Sequence, residues 1–323
     1  MMISSINFLL IIDVLVVVMV VMSGQSLCAK RPYVNNNHEL ELTKKVIINP
    51  KHCKTSHDMV VIIHSAGQST GKYFDVRQEL RSGWVGAVKR HNISVWFALA
   101  LNKNQTVNEE LMIESNKYND IIQFGFVDHY YNLTLKAIAT QRWLHRYCSS
   151  VKYLLKIDDD SFVNIDLLLK VLPDFDMGFN GLIRFVDLVL HREMDFKWHV
   201  PRQYYPNNYY PDYPLSTYVA NNVNKDQLLR SLDSYKSIAG HYVLDIDDAF
   251  VTGILANWSG ISRHNSSHFV LDNCKCKCSL HTVPIHLECK NRTNTWHDFL
   301  DASINTNAYC NQTLSPINVH QDL

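Results

Sequence analysis

Apolar positions along the chain fall into two rhythms: short unbroken runs closed by turn residues, and longer stretches with an apolar face every three or four positions. Met59-Val60-Val61-Ile62-Ile63-His64 is a buried strand by this pattern, and it ends at the turn-prone Ser65-Ala66-Gly67-Gln68-Ser69-Thr70-Gly71. A helix is predicted from Tyr73 to Lys89, a strand from Ile93 to Leu101, a helix from Glu109 to Asn116 and a short strand over Ile121–Phe124. From Thr134 to Cys148 the chain is helical again, with Leu135, Ala139, Trp143 and Tyr147 recurring every four residues on one face. Val151–Ile157 is the next buried run. Strands and helices therefore alternate over about 100 residues, the pattern of an α/β protein with a mostly parallel sheet covered on both faces. Farther on, Ile165–Leu172 reads as a helix stopped by Pro173, and Asn180–Asp187 as a strand. The tyrosine- and proline-rich stretch Tyr204–Pro214 interrupts regular structure; its rings either stack on sugar or pack on the body.

The run ending at Ile157 leads directly into Asp158-Asp159-Asp160. Side chains of an extended segment alternate, so Asp158 and Asp160 share one side and Asp159 faces the other. In parallel sheets ligands bind beyond the carboxyl ends of the strands, which is where this triplet stands. Adjacent carboxylates repel unless a cation lies between them, and all-oxygen ligation suits a hard ion such as Mg²⁺ or Mn²⁺ that also binds phosphates. A solvated acidic turn is the plainer alternative. A calcium loop fits poorly, because Val163 falls where the sharp turn needs Gly and Leu169 where a bidentate Glu is needed. A second acidic cluster, Asp245-Ile246-Asp247-Asp248, precedes Ala249-Phe250-Val251-Thr252-Gly253. Asp247 and Asp248 either cap a helix over Phe250–Ala256 or supply a carboxylate that deprotonates a hydroxyl, and the two roles are compatible.

Composition narrows the class. The 323 residues are 46% hydrophobic and carry 31 basic and 31 acidic side chains, so a general nucleic-acid binder, which needs a basic excess, is excluded. Residues 1–22 are almost wholly apolar apart from Asp13, long enough for a signal-anchor helix, with a cleaved signal peptide as the rival. Residues 23–55 are polar and without period, a short stem, which leaves 56–323 as the main domain. Seven Asn-x-Ser/Thr sequons and eight cysteines fit an oxidising lumen. Cys274, Cys276 and Cys278 form disulfides with Cys289, Cys310 or Cys148, or hold a soft metal.

Four motifs, in order, carry a resemblance. Arg77-Gln78-Glu79-Leu80-Arg81-Ser82-Gly83-Trp84, Asp128-His129-Tyr130-Tyr131-Asn132-Leu133-Thr134-Leu135-Lys136, Lys156–Asn164 and Asp247–Gly253 together resemble those of the β-1,3-galactosyltransferase-like family, over roughly residues 58 to 300. That family also includes β-1,3-N-acetylglucosaminyltransferases. The resemblance implies a single Rossmann-like nucleotide-sugar transferase fold of the GT-A type. It implies a UDP-sugar donor with Mn²⁺ or another divalent cation, and a glycan acceptor on glycoprotein or glycolipid. The expected setting is a single-pass type II protein of the Golgi membrane, or a secreted one if the N-terminus is cleaved. By the same resemblance Asp158 and Asp160 hold the metal with His286 (His281 as rival), Asp158 and Asp159 face the donor, and Arg77, Arg81, Asp128 and Lys136 surround the nucleotide. Asp248 is the general base, with Asp247 beside it. Three departures stand out: Asp247 where the family has Glu, Gly83 where it has Thr, and Tyr213-Pro214-Leu215-Ser216-Thr217-Tyr218 in place of a cysteine- and glycine-containing segment. The last favours the alternative of a catalytically silent lumenal carbohydrate-binding protein that keeps the fold.

Overall fold

The computed structural model describes residues 37–50, 53, 57–185 and 198–269. Among them, eight strands form one sheet: β1 (Val46–Ile48), β2 (Met59–His64), β3 (Ser94–Leu101), β4 (Ile121–Val127), β5 (Tyr153–Asp158), β6 (Gly178–Arg184), β7 (Tyr213–Asn221) and β8 (Arg263–Asn265). Their order is β1-β4-β3-β2-β5-β7-β6-β8. β4, β3, β2 and β5 are mutually parallel, as are β6 and β8, whereas β1 and β7 run against their neighbours. Helices cover both faces, which is why β2 is apolar from Met59 to Ile63 and every one of its residues, His64 included, is buried. One core, with Val60, Ile62 and Trp143, lies on the face of α5 (Leu133–Tyr147). The other, with Val61, Ile63 and Trp84, lies opposite.

The helix predicted over 73–89 is two helices, α2 (Lys72–Ser82) and α3 (Trp84–Arg90). Gly83 breaks it with non-helical backbone (φ −95°, ψ −128°), and the fully buried Trp84 turns inward to donate its indole N–H to the Ser161 carbonyl at 3.1 Å. The helix pair is thereby tied to the turn after the aspartate triplet. The helix predicted over 109–116 is longer, Gln105–Tyr118 (α4), because Asn104 caps it through Thr106 N–H.

Residues 213–218 are not a loop but the start of β7, and Pro214 hid the strand from sequence reading. Its missing N–H is tolerated where the pairing with β6 shifts register, between Gly181 and Ile183. A side chain on Gly181 would place Cβ 2.8 Å from Pro214 Cβ, so glycine on one strand makes room for proline on the next.

Part of the segment read as stem is folded. α1 (Asn37–Leu42) buries Leu40, and β1 pairs with β4. The apolar segment 1–22, Cys274, Cys276, Cys278, Cys289, Cys310, His281 and His286 all lie outside the described residues. Within the described residues, no helix is long and apolar enough to cross a membrane.

Cys148 pairs with Cys53 rather than with the cysteine cluster, across 95 residues of chain and a Cα separation of 5.6 Å. Closing so long a loop restricts the unfolded chain strongly, so Cys53→Ser should cost about 2–4 kcal/mol. A lower urea midpoint with a steeper slope, because the uncrosslinked unfolded chain exposes more surface, is the expected readout.

Candidate active site

The carboxyl ends of β2, β4 and β5 converge on one edge of the sheet. β2 ends in the loop Ser65–Gly71, β4 is followed by Asp128, and β5 ends at Asp158. Asp158 is opposite His64 in the β2–β5 register, and the Asp159 N–H donates to the His64 carbonyl at 3.1 Å. His64 is buried against Thr140. Burial, helped by Lys156 and Lys136, holds its pKa well below the usual histidine value, so it is neutral.

The loop after β2 is pinned from four directions. Asp159 accepts from Ser65 Oγ at 2.7 Å. Lys136, buried, donates to the Ser65 carbonyl at 2.5 Å and to Asp128 at 3.0 Å. Asp128 accepts from the backbone N–H of Gly67 and of Ala100, both at 2.9 Å, locking the loop to β3. Only glycine fits at 67, since a Cβ there would lie 2.3 Å from the Ala100 carbonyl oxygen. Arg77, fully buried, donates to the carbonyls of Ala66, Gln68 and Tyr73 and twice to Glu114. Those five bonds match the donor capacity of a guanidinium. Arg77 thus acts on the loop's shape and has no donor left over for a phosphate.

Arg81 is not brought to this edge. It donates to Glu114 and twice to Asp120, and its guanidinium stacks on the Tyr118 ring at 4.0 Å. Asp120 immediately precedes β4, so Arg81 sits at the amino-terminal edge of the sheet, a strand length from Asp128. The placement around the nucleotide that the resemblance implies does not hold for Arg81; burial among two acids and an aromatic ring makes it a structural cation.

Lys156 joins the two acidic clusters. Its ammonium lies 2.9 Å from Asp158 Oδ1, 3.5 Å from Asp247 Oδ2 and 3.8 Å from Asp248 Oδ1, and it donates to the Ser216 carbonyl at 2.8 Å. Burial opposes its charge, yet these three carboxylates raise its pKa well above the usual lysine value. Burial likewise drives Asp158 up to about 6, with Lys156 pulling down and Asp160 and Asp247 pushing up. Asp248 is raised well above the usual carboxylate range by burial and by Asp247, opposed by Lys156 and the Ser216 backbone. The motif reading gave Lys156 no role. Its signal was a charge between Leu155 and Ile157 inside the apolar run, two residues before Asp158 and hence on the same face.

Asp248 begins a π-helix, Asp248–Leu255, which continues into the short helix Ala256–Trp258. Asp248 is held among buried groups, and its Oδ1 is buried without a hydrogen-bond partner among the described residues. A carboxylate with raised proton affinity, whose Oδ1 meets Lys156 only at 3.8 Å, suits proton abstraction. Tyr130, 41% exposed, whose hydroxyl accepts from Trp198 Nε1 at 2.9 Å, stands near these acids. Sequence reading assigned nothing to Trp198.

The donor set of Asp158 and Asp160 fits a hard divalent cation. Both are oxygen ligands, Asp158 is destabilised as an anion by Asp160, and two carboxylates suffice for an ion that retains waters and takes phosphate oxygens. The third expected ligand, His286, lies outside the described residues, and among those described no group of three His, Cys, Asp or Glu is arranged to hold a metal.

Acidic clusters beyond the carboxyl ends of a mostly parallel α/β sheet stand where such sheets bind their ligands. The chain belongs to the galactosyltransferase family, whose model matches residues 75–267. It is 31% identical over 241 residues to beta-1,3-galactosyltransferase 1 of Homo sapiens, covering 72% of this chain and 70% of that protein. It is 29% identical over 252 residues to lactosylceramide 1,3-N-acetyl-beta-D-glucosaminyltransferase B of Danio rerio, covering 73% and 63%. Among solved structures, the inositol-1-phosphate CTP transferase from T. maritima aligns with a TM-score of 0.38 and 11% identity, covering 80% of this chain and 100% of that one.

Proposed function

We propose that this chain transfers a hexose, galactose or N-acetylglucosamine, from a UDP-sugar to a glycan acceptor on glycoprotein or glycolipid, forming a β-1,3 linkage with inversion. The observation that carries the reading is the buried Lys156, which holds the half-buried Asp158 and Asp247–Asp248 pair in one cluster at the ligand-binding edge of the sheet. Family membership and the two named relatives support the same reaction.

In this scheme the loop Ser65–Gln68, shaped by Asp128, Lys136, Asp159 and Arg77, cradles the nucleotide. Asp158 and Asp160 hold a divalent cation, Mn²⁺ or a similar ion, which when bound neutralises charge on the diphosphate. Asp248 takes the proton of the acceptor hydroxyl as that oxygen attacks the anomeric carbon from the side opposite UDP; the bond to UDP breaks and UDP departs with its electron pair. Asp247 keeps Lys156 close to the base. Residues 1–22 anchor the chain in the Golgi membrane, and the domain faces the lumen. The silent-binder alternative rested on residues 213–218, but these form β7 and deliver Ser216 to Lys156, which supports a working site.

Calorimetric titration of the purified chain with UDP tests the donor site. Binding should require Mn²⁺ and weaken about tenfold or more, a loss of at least about 1.4 kcal/mol, in Asp158→Ala/Asp160→Ala. A folded wild type that binds no UDP in the presence of Mn²⁺ would overturn the donor-site reading. Linkage analysis of the product from UDP-galactose and UDP-N-acetylglucosamine then identifies the sugar and the bond.

A further inference from the structure

We propose that Tyr73 is the residue on which the uracil base of the donor stacks. The inference deepens the donor-site reading above and rests on it.

The loop after β2 gives a nucleotide site its shape but keeps few polar groups with which to hold a base. The carbonyl of Ser65 accepts from Lys136, those of Ala66 and Gln68 from Arg77, and that of Gly67 from Asn102. The N–H groups of Ser65, Gly67 and Gln68 donate to Ala98, Asp128 and Ala66. The Ser69 hydroxyl donates to Glu110. Affinity for a flat base then has to come from a side chain at the rim, and contact with a ring face uses no donor or acceptor of the loop.

Tyr73 stands at that rim. It is half-buried in the first turn of α2, the helix that begins at Lys72 directly after the loop. The Arg77 nitrogen that donates to the Ala66 carbonyl at 3.1 Å also donates to the Tyr73 carbonyl at 3.3 Å. One buried guanidinium therefore fixes the loop and the tyrosine together. The phenol lies within electrostatic reach of the acids that flank the loop, since burial and then Asp159, Asp128 and Asp160 raise its pKa above the usual tyrosine value. Two of these acids are the ones bonded to Ser65 and Gly67, and the third is an expected metal ligand. The ring thus stays neutral beside the place of the diphosphate and does not repel it. Lys72, exposed, holds its ammonium over the ring at 5.5 Å. A cation–π contact at an exposed site is weak, so a base can displace it.

The test is calorimetric titration of the full chain in Mn²⁺ with two probes, UDP and inorganic pyrophosphate, which offers a diphosphate without a base. Tyr73→Ala and Tyr73→Leu should bind UDP about tenfold more weakly than wild type, whereas Tyr73→Phe should stay within about twofold. Leucine keeps apolar bulk on the helix, so a mere packing role would spare that variant. Pyrophosphate should bind wild type and all three variants alike. In turnover, loss of the ring should raise KM for the donor and leave kcat nearly unchanged, because stacking holds substrate and transition state equally. Unchanged UDP affinity in Tyr73→Ala, equal losses in Tyr73→Phe and Tyr73→Ala, or a matching loss for pyrophosphate would each overturn the assignment and leave the donor site standing. A folded wild type that binds no UDP would overturn the donor site and this inference together.

Discussion

Asp248→Asn should slow sugar transfer about 10²–10⁴-fold, the usual contribution of a positioned general base, with little change in UDP binding. The substitution keeps the side chain's shape and removes its proton affinity. Asp158 and Asp160 remain, and Lys156 still pairs with Asp158 at 2.9 Å, so the donor side of the site is preserved. The loss should fall on kcat rather than on KM for the donor. Asp247→Asn should cost far less, because Asp247 touches the site through Lys156, 3.5 Å from its Oδ2, whereas Asp248 carries the raised proton affinity. Steady-state rates of the two variants, with calorimetric UDP binding alongside, check this; a larger loss in Asp247→Asn would move the base to Asp247.

The second large effect is on stability. Glu114→Ala should destabilise the fold by about 3–5 kcal/mol, the range for removing one partner of a buried ion network. Glu114 is 6% exposed and accepts from both Arg77 and Arg81, so its loss leaves the buried Arg77 guanidinium with carbonyls but no carboxylate among the described residues, and Arg81 with Asp120. Urea unfolding reads the change. Because Arg77 also holds the carbonyls of Ala66 and Gln68, the variant that remains folded should bind UDP more weakly than wild type. A variant with wild-type stability would show that the network is better solvated than its burial implies.

Much of the central architecture is legible in the residue pattern. The runs at 59–64, 93–101 and 151–157 are apolar without alternation because parallel strands are buried on both faces, and all three become β2, β3 and β5. The position of the aspartate triplet at a strand's carboxyl end follows from the same periodicity. β7 was not legible, since a strand that begins Tyr213-Pro214 breaks the local rule and depends on Gly181 of β6 for space. The break at Gly83 was equally hidden, because what fixes it is the partner of Trp84, the carbonyl of Ser161.

Short-range pattern names the acids, since charge at the end of an apolar run is a local property of the chain. The family resemblance names Arg77 and Arg81 together as cations of one motif, four residues apart. Their separation into different tasks comes from long-range partners: Arg77 meets the loop after β2, and Arg81 meets Asp120 at the other end of β4. The encounter of Asp158 with Asp248 is likewise a product of sheet order, because β7 inserts beside β5 and brings Ser216 to Lys156. Residue type and spacing set which groups are available for chemistry, whereas strand order and burial set which of them meet and what charge each can carry.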